Sequence, residues 1–462
     1  MAAPAPAAGD ELPEPIRRAL TSLGVPEDSV SLLVRRVGGP EPVLSHLPDE
    51  PRNPASVMKL VTTWSALELL GPAYTWRTEV YFDGPFDGST LRGDLGIKGF
   101  GDPFLVVEEF WNLLRGLKRL GLERIEGDLV LDDGYFDVPP EDPGAFDGQP
   151  YRTYNVGPSA LLVNFKAAQF FFLADPANGR VHVSTDPELD NLVIRNRLTL
   201  ADGPCTGYQG GINFAIDDPD ELSRVLLTGA FPASCGSYSL SRTVLQHDTY
   251  LYGLFRALWA DLGGSLMGRL ADGPIPVDAA LARTWVSPPL AEVIRSINKN
   301  SNNVMTRQLV LTIGAELGEL PGTEAAGAEL IAEHLRSRGL HDGSLVFANG
   351  AGLSREGRVS AQMLVDILDA AATGPYAPEF MASLSIAGLD GTTRGRFDQD
   401  SGNSVMHVKT GRLDHVSALA GYVHADDGGT YALAILMNAP EAHRGLGQDF
   451  EEAVTAWLQT RL

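Results

Sequence analysis

Residues 53–71 read NPASVMKLVTTWSALELLG and carry the strongest local pattern in the chain. Apolar side chains recur there every three or four residues, which predicts a helix. Gly71 and Pro72 follow the last apolar residue, and both residue types end helices. The apolar positions are Val57, Leu60, Val61, Trp64, Leu67 and Leu70.

Ser56 and Lys59 lie at the start of this helix, one turn apart on the same face. A desolvated lysine with a lowered pKa can take the hydroxyl proton and make the serine a nucleophile. Ser56 is also expected in the first turn after Pro54, where the helix dipole favours developing negative charge. An S-x-x-K pair alone is weak evidence for catalysis, because a serine and a lysine on an ordinary exposed helix can have the same spacing.

Lysine is rare in this chain. Six of the 36 basic residues are lysines, which leaves 30 arginines. A lysine retained in such a composition suggests a need for an ammonium that can lose its proton, which a guanidinium does not do.

Two further motifs follow Lys59. Ser301 and Asn303 belong to KNSNNVMTRQLVL, immediately before an apolar helix, and Lys409, Thr410 and Gly411 belong to HVKTGRL, at the end of an apolar strand. Alone, the first could be a helix cap and the second a turn. In this order, S-x-x-K, S-x-N and K-T-G form the motif set of penicillin-binding proteins and class A β-lactamases. The combination is the strong signal.

No other catalytic arrangement competes with this set. His407 and His415 flank the K-T-G, but there is no G-x-S-x-G elbow to accompany them. The other histidines lack metal-ligand spacing, so neither a metal nor a cofactor is expected.

With these motifs, the chain resembles the D-alanyl-D-alanine carboxypeptidase/endopeptidase branch of the low-molecular-mass penicillin-binding proteins. Other segments also resemble this branch, and together they extend from about residue 50 to residue 440. They are GFGDPFL, LDDGYFD, VGPSALLVNF, ANGAGLSREGRVS, SIAGLDGTTRGRF and KTGRLDHVSALAGYV. The 245 positions from Ser56 to Ser301 also fit the branch, whose members carry extra domains there.

The resemblance implies a role for each motif residue. Ser56 would be acylated by the penultimate D-Ala carbonyl, with Lys59 as general base. Ser301 would pass a proton to the leaving amine, and Asn303 would hold the substrate amide. Lys409 would supply positive potential. The substrate-binding set would include Thr410, for the terminal carboxylate, with Gly411 and Arg412, and the backbone N–H groups of Ser56 and Arg412 would form the oxyanion hole.

Some positions depart from the branch. Arg412 replaces the usual Thr or Ser after K-T-G, and Asp414-His415 replaces a small polar residue and Gly. These changes put substrate preference in question more than chemistry. The branch also recognises the free end of a meso-diaminopimelate side chain. Arg355, in GLSR, matches one position of that pocket, and Asp147 is the nearest candidate for its acidic partner. A surface position is the alternative for both.

The order of elements predicts an α/β and β multidomain protein. The resemblance implies a penicillin-binding transpeptidase/β-lactamase-like α/β domain, with an antiparallel sheet flanked by helices, interrupted by β-rich insertions. The expected domains are a peptidase domain of residues 1–72 and 285–462, an inserted α/β domain of residues 73–160 and 241–284, and a second inserted β-rich domain of residues 161–240.

Composition limits the partners. A net charge of −23 repels phosphate backbones, so nucleic acid is not expected as a partner. No apolar run approaches the 18 residues of a membrane span. The first ten residues, MAAPAPAAGD, do not form a signal peptide, so an exported protein, periplasmic or extracellular, would have lost its signal. Cys205 and Cys235 could form one disulfide or remain two buried thiols.

The resemblance implies peptidoglycan stem peptides as substrates and β-lactam antibiotics as covalent inhibitors. The alternatives are a β-lactamase-like hydrolase and a non-catalytic penicillin-binding module. The long insertion and the GLSR segment disfavour the first, and the presence of Lys59, Asn303 and Lys409 disfavours the second.

Overall fold

The computed structural model describes residues 12–206, 211–216, 223–341, 343–397, 405–426 and 428–462. The chain forms two compact units, Met1–Thr75 with Pro288–Leu462, and Trp76–Ser287. Within the described ranges, no helix combines the length and the apolarity that a bilayer crossing needs.

The helices of the described residues are α1 Glu14–Leu23, α2 Met58–Leu70, α3 Val107–Arg119, α4 His247–Asp261, α5 Leu290–Asn300, α6 Asn303–Leu317, α7 Glu324–Ser337, α8 Ala361–Thr373, α9 Ala377–Ser383 and α10 Leu446–Gln459. The strands are β1 Val30–Arg36, β2 Pro42–His46, β3 Arg77–Asp83, β4 Thr90–Leu91, β5 Asp94–Gly99, β6 Arg124–Ile125, β7 Leu129–Asp132, β8 Ala168–Asp175, β9 Arg180–Asp186, β10 Leu192–Ala201, β11 Ile212–Ile216, β12 Ser223–Pro232, β13 Ser237–Arg242, β14 Ser265–Leu266, β15 Leu270–Asp272, β16 Ala280–Val286, β17 Ser385–Ile386, β18 Met406–Leu413, β19 Val416–His424 and β20 Thr430–Asn438.

The first unit is built on a six-stranded sheet in the order β17-β18-β19-β20-β1-β2. Every neighbouring pair in it is antiparallel. Alternate residues of the strands join one core with α1 and α10, including Leu20 and Phe450. On α8, the Leu368 carbonyl accepts the hydroxyl of Tyr422 from β19. This is the antiparallel sheet flanked by helices that the family resemblance implied.

The second unit contains several small sheets. A five-stranded sheet has the order β15-β7-β5-β3-β16, and three-stranded sheets have the orders β14-β6-β4, β10-β12-β11 and β13-β8-β9. One hydrophobic core includes Phe110 of α3 and Leu254 of α4 together with Phe170 of β8 and Val225 of β12. This core spans both of the inserted domains expected from the sequence, so their separation stays a prediction.

The two cysteines of the second unit are joined. Cys205 and Cys235 form a disulfide that connects positions 30 residues apart, with the Cα atoms 4.9 Å from each other. Closing a loop of that length removes conformational freedom from the unfolded chain, which stabilises the fold by about 3–4 kcal/mol.

We expect the double variant Cys205→Ser/Cys235→Ser to lose about 3–4 kcal/mol of unfolding free energy because its unfolded state regains that freedom. Urea denaturation of the variant and the oxidised wild type would measure the difference. Two titratable thiols in denatured wild-type protein kept free of reductant would contradict the bridge.

Candidate active site

Ser56 lies in a 3-10 turn, Ala55–Val57, that leads into α2. The sequence indicated an α-helical turn here, but Ala55 adopts a left-handed φ of 46°. Asn53 holds the turn, because its Oδ1 accepts the Ala55 N–H at 2.9 Å and its amide donates to the Ser354 carbonyl at 2.8 Å. The side-chain amide of Asn438 accepts the Asn53 N–H through Oδ1 and donates to the Asn53 carbonyl through Nδ2. The backbone that carries the Ser56 hydroxyl is therefore fixed by three separate chain segments.

Lys59 contacts Ser56 from the next turn of the chain. Its Nζ lies 3.0 Å from Ser56 Oγ and 2.7 Å from Asn303 Oδ1, and it also donates to the Ala351 carbonyl. The side chain is fully buried. Burial, together with the nearby Lys409 ammonium, holds the pKa of Lys59 well below its ordinary value.

These contacts match the needs of a neutral amine. Such an amine has two N–H bonds and one lone pair. The oxygens of Asn303 and Ala351 can accept the two N–H bonds, which leaves the lone pair for the Ser56 hydroxyl proton. Lys59 is thus arranged as a proton acceptor for Ser56.

The junction between α5 and α6 supplies the second motif. Ser301 ends α5 with a left-handed φ of 56°, and Asn302 caps α6 by accepting the Met305 N–H at 3.1 Å. The next residue, Asn303, therefore begins α6 with its side chain against Lys59. Ser301 Oγ lies instead 3.0 Å from Lys409 Nζ.

The third motif lies within β18, which continues to Leu413, and not at the strand end that the sequence indicated. Lys409 is fully buried, and its Nζ also donates to the Thr410 carbonyl at 2.7 Å. Burial lowers its pKa to about 7. The Thr410 hydroxyl is exposed and lies 2.7 Å from the Thr392 hydroxyl.

Gly411 lets β18 pack directly on the Ser56 turn. A Cβ at this position would lie 2.4 Å from the Pro54 carbonyl oxygen and 3.2 Å from the Ser56 backbone nitrogen. The first distance is shorter than van der Waals contact, so a side chain here would push the strand away from Ser56. A glycine is therefore required where the strand and the turn approach each other.

A cleft of about 290 Å³ opens at these residues. Its lining includes Ser56, Ser301, Thr392, Thr410, Gly411 and Arg412. Arg412, which stands where the branch usually has Thr or Ser, is exposed beside the cleft. The structure thus brings together the seven residues predicted in the three motifs and Arg412, which follows the third.

The cleft continues past these motifs to residues that the sequence analysis missed. Arg396 donates to the Glu451 carboxylate at 2.9 Å, and the Ser417 hydroxyl donates to the other oxygen at 2.7 Å. Glu451 is 2% exposed, and burial raises its pKa while Arg396 opposes that rise. All three side chains line the cleft. Ser417 could have been found, since it pairs with Arg412 across the β18–β19 hairpin.

Arg355 and Asp147 do not join this group. The Arg355 guanidinium lies 3.7 Å from the Asp414 carboxylate, and both side chains are more than half exposed. Asp147 belongs to the second unit, where its carboxylate accepts hydrogen bonds from Tyr154 Oη at 2.7 Å and from Asn155 Nδ2 at 2.9 Å. Their assignment to a specificity pocket stays a prediction.

Comparisons with known proteins agree with the motifs. Residues 15–461 match the D-Ala-D-Ala carboxypeptidase 3 (S13) family. A D-alanyl-D-alanine carboxypeptidase of Actinomadura sp. is 31% identical over 398 residues, which cover 81% of this chain and 71% of the relative. The D-alanyl-D-alanine carboxypeptidase DacB of Haemophilus influenzae is 25% identical over 371 residues, 80% of this chain and 77% of that protein.

Solved structures show the same fold. The crystal structure of penicillin binding protein 4 (dacB) from Haemophilus influenzae superposes with a TM-score of 0.80 at 22% identity, covering 96% of this chain and 99% of that chain. A predatory endopeptidase from Bdellovibrio bacteriovorus gives a TM-score of 0.56 at 16% identity, covering 94% of each chain.

Proposed function

The chain belongs to the D-Ala-D-Ala carboxypeptidase 3 (S13) family, within the carboxypeptidase branch of the low-molecular-mass penicillin-binding proteins, and we propose that Ser56 is its acylated nucleophile. The observation that carries this proposal is the buried Lys59 amine, 3.0 Å from Ser56 Oγ. The substrates are peptidoglycan stem peptides that end in D-Ala-D-Ala.

In the acylation step, Ser56 Oγ attacks the carbonyl carbon of the penultimate D-Ala while its proton moves to Lys59 Nζ. The carbonyl oxygen becomes an oxyanion, which the backbone N–H groups of Ser56 and Arg412 stabilise. The C–N bond then breaks, and the amine leaves with a proton delivered through Ser301 Oγ. A water molecule later attacks the ester, which releases the shortened peptide and restores the Ser56 hydroxyl.

Two residues orient the substrate. The exposed Thr410 hydroxyl binds the terminal carboxylate, and Asn303 holds the substrate amide. Lys409 contributes positive potential beside the carboxylate. Its pKa of about 7 in the empty cleft leaves the amine partly neutral at neutral pH, and an arriving carboxylate favours the protonated form.

Two features of the cleft support a second activity, endopeptidase cleavage of cross-linked stems. In that reaction the leaving amine belongs to another stem peptide and is larger than D-Ala. The cleft extends beyond Thr410 to Arg396 and Ser417. Arg396 is paired with Glu451 and Glu452, but the exposed guanidinium of Arg412 is available to a stem that carries further carboxylates.

Incubation with two pentapeptides tests the function directly. We expect D-Ala release from a stem pentapeptide ending in D-Ala-D-Ala and no release from the matched peptide ending in L-Ala. Benzylpenicillin, which presents a strained amide to Ser56, is expected to inhibit that release by forming a long-lived ester. Rapid turnover of benzylpenicillin without any D-Ala release would contradict the proposal and identify a β-lactamase-like hydrolase.

The location follows from the substrate. Because peptidoglycan lies outside the cytoplasmic membrane, we place the protein in the periplasm or the extracellular space. The Cys205–Cys235 disulfide supports this location, since such bonds persist in oxidising compartments.

Arg355 is the proposed contact for the free carboxylate of a diaminopimelate side chain. We expect Arg355→Ala to lower kcat/KM for a diaminopimelate-containing peptide by about tenfold, the lower end for a charged hydrogen bond, because the side chain is 57% exposed. Acylation by benzylpenicillin, which has no such group, should change little. Steady-state kinetics on both substrates measure the contrast.

The matched control is Arg336→Ala. Arg336 is another half-exposed arginine of the first unit and pairs with Glu329 at 2.5 Å. The substitution Arg336→Ala should change neither kcat/KM for the peptide nor acylation by benzylpenicillin. An equal loss on both substrates in Arg355→Ala would mean that this arginine supports the fold, and no loss on either would remove it from the specificity pocket.

A further inference from the structure

The second unit contains a cavity of about 490 Å³, larger than the cleft at Ser56. This volume is in the range of small-molecule binding sites. Its lining combines charged, polar and apolar residues, and it includes Asp133, Phe136, Asp137, Asn155, Lys166 and His247. None of these residues takes part in the chemistry proposed for Ser56.

Lys166 is the unusual member of this lining. Its side chain is only 7% exposed. Within the described part of the chain, its ammonium makes neither a hydrogen bond nor an ion pair shorter than 4 Å. Asp248 acts on it electrostatically and raises its pKa, but burial is the larger effect and lowers the pKa to about 8. The amine is therefore mostly protonated at neutral pH.

A side chain this buried keeps only part of the hydration of a free ammonium, and an ion of opposite charge would compensate for that loss. The short turn Asn164–Lys166 holds the lysine in place through hydrogen bonds from the Asn164 amide to Tyr250 Oη and to the Ala167 carbonyl. These bonds hold the turn that carries Lys166, and the lysine lines an open cavity, which suits an incoming anion.

The other ionisable groups of the cavity indicate that the ligand carries a positive charge as well as a negative one. Burial and the nearby Lys166 lower the pKa of His247 to about 3, so this imidazole is neutral at physiological pH. Asp133 and Asp137 are exposed, whereas Lys166 is buried. The lining therefore offers positive charge inside and negative charge outside.

We propose that this cavity binds a short zwitterionic peptide, whose carboxylate pairs with Lys166 and whose ammonium lies near Asp133 and Asp137. A dipeptide or tripeptide suits a cavity of this volume. Wall peptides and their hydrolysis products belong to this chemical class, so the site would bind wall material in the second unit. The inference rests on the surroundings of Lys166 and does not depend on the nucleophile assignment.

Isothermal titration of the full chain with three dipeptides tests this site. The chain carries Ser56→Ala so that no ligand is consumed. The probes are D-Ala-D-Ala, its N-acetyl form, which lacks the ammonium, and its C-terminal amide, which lacks the carboxylate. We expect saturable binding of the first, and binding at least about tenfold weaker for each blocked form. No saturable binding of D-Ala-D-Ala up to about 10 mM would overturn the proposal.

Two variants locate the binding. Lys166→Met should weaken binding of D-Ala-D-Ala at least about tenfold, and the control Lys118→Met, a lysine of the same unit outside this lining, should not change it. Unchanged affinity in Lys166→Met would place the peptide elsewhere, including the Ser56 cleft, and would overturn the proposal.

Stability separates a ligand site from a structural role. Met has a similar length and no charge, so Lys166→Met should keep or raise the melting temperature of the ligand-free protein. A lower melting temperature would show that the lysine supports the fold, and would contradict the proposal. Asp137→Asn gives an independent result. This variant should bind D-Ala-D-Ala more weakly but bind the N-acetyl form as the parent chain does, because only the free ammonium interacts with the Asp137 carboxylate.

Discussion

Replacing Ser56 by alanine is expected to lower the rate of D-Ala release by at least about 10⁴-fold, because Ser56 is the cleft hydroxyl that contacts the Lys59 amine. The residual rate would come from substrate binding and the oxyanion hole alone, which do not supply a nucleophile. Initial rates on a D-Ala-D-Ala pentapeptide measure the effect.

The control for this variant is Ser65→Ala. Ser65 lies on α2, as a fully buried serine whose hydroxyl has no hydrogen-bond partner among the described residues. Removing its oxygen should leave the rate unchanged. If Ser56→Ala kept most of the activity with an intact fold, another residue would have to be the nucleophile.

Replacing Lys59 is expected to slow acylation at least about 10²-fold, the usual scale for losing a general base. Lys59→Met keeps the length of the side chain and removes the amine. Lys59→Arg keeps a positive charge but cannot accept a proton near neutral pH. Both variants should be acylated slowly, because the proposed role of Lys59 needs the lone pair of the amine and not its charge. Stopped-flow measurement of benzylpenicillin acylation gives the rate directly.

The two variants together separate the possible roles of Lys59. Near-normal acylation in Lys59→Arg with loss in Lys59→Met would mean that the lysine acts only through its charge. Near-normal acylation in both would remove it from the mechanism. The lowered pKa of Lys59 also sets a direction: the base is active in its neutral form, so acylation should fall when the pH drops far enough to protonate it.

Much of the arrangement could be predicted from the sequence, because each motif combines a residue type with a specific local structure. The serine-to-lysine spacing places both groups one turn apart, and the structure has Lys59 Nζ against Ser56 Oγ. The antiparallel sheet was implied by the family resemblance, and the long insertion corresponds to the unit Trp76–Ser287.

The rest depended on contacts between distant segments. Arg396, Ser417 and Glu451 meet only because the β18–β19 hairpin, the segment before it and α10 converge on one end of the cleft. In the sequence, Glu451 is one more acidic residue on an amphipathic helix, and nothing local marks it as buried. The left-handed Ala55 was missed for a similar reason, since Asn53 and the close approach of Gly411 impose that turn.

Mapping the site of penicilloylation tests the central claim most directly. The wild-type chain is incubated briefly with benzylpenicillin, its intact mass is recorded, and the protein is then digested and sequenced by tandem mass spectrometry. The expected result is one penicilloyl group per chain, carried by Ser56 in the segment NPASVMKL. An unmodified chain, or a label on any other residue, would contradict the assignment of Ser56 as the nucleophile.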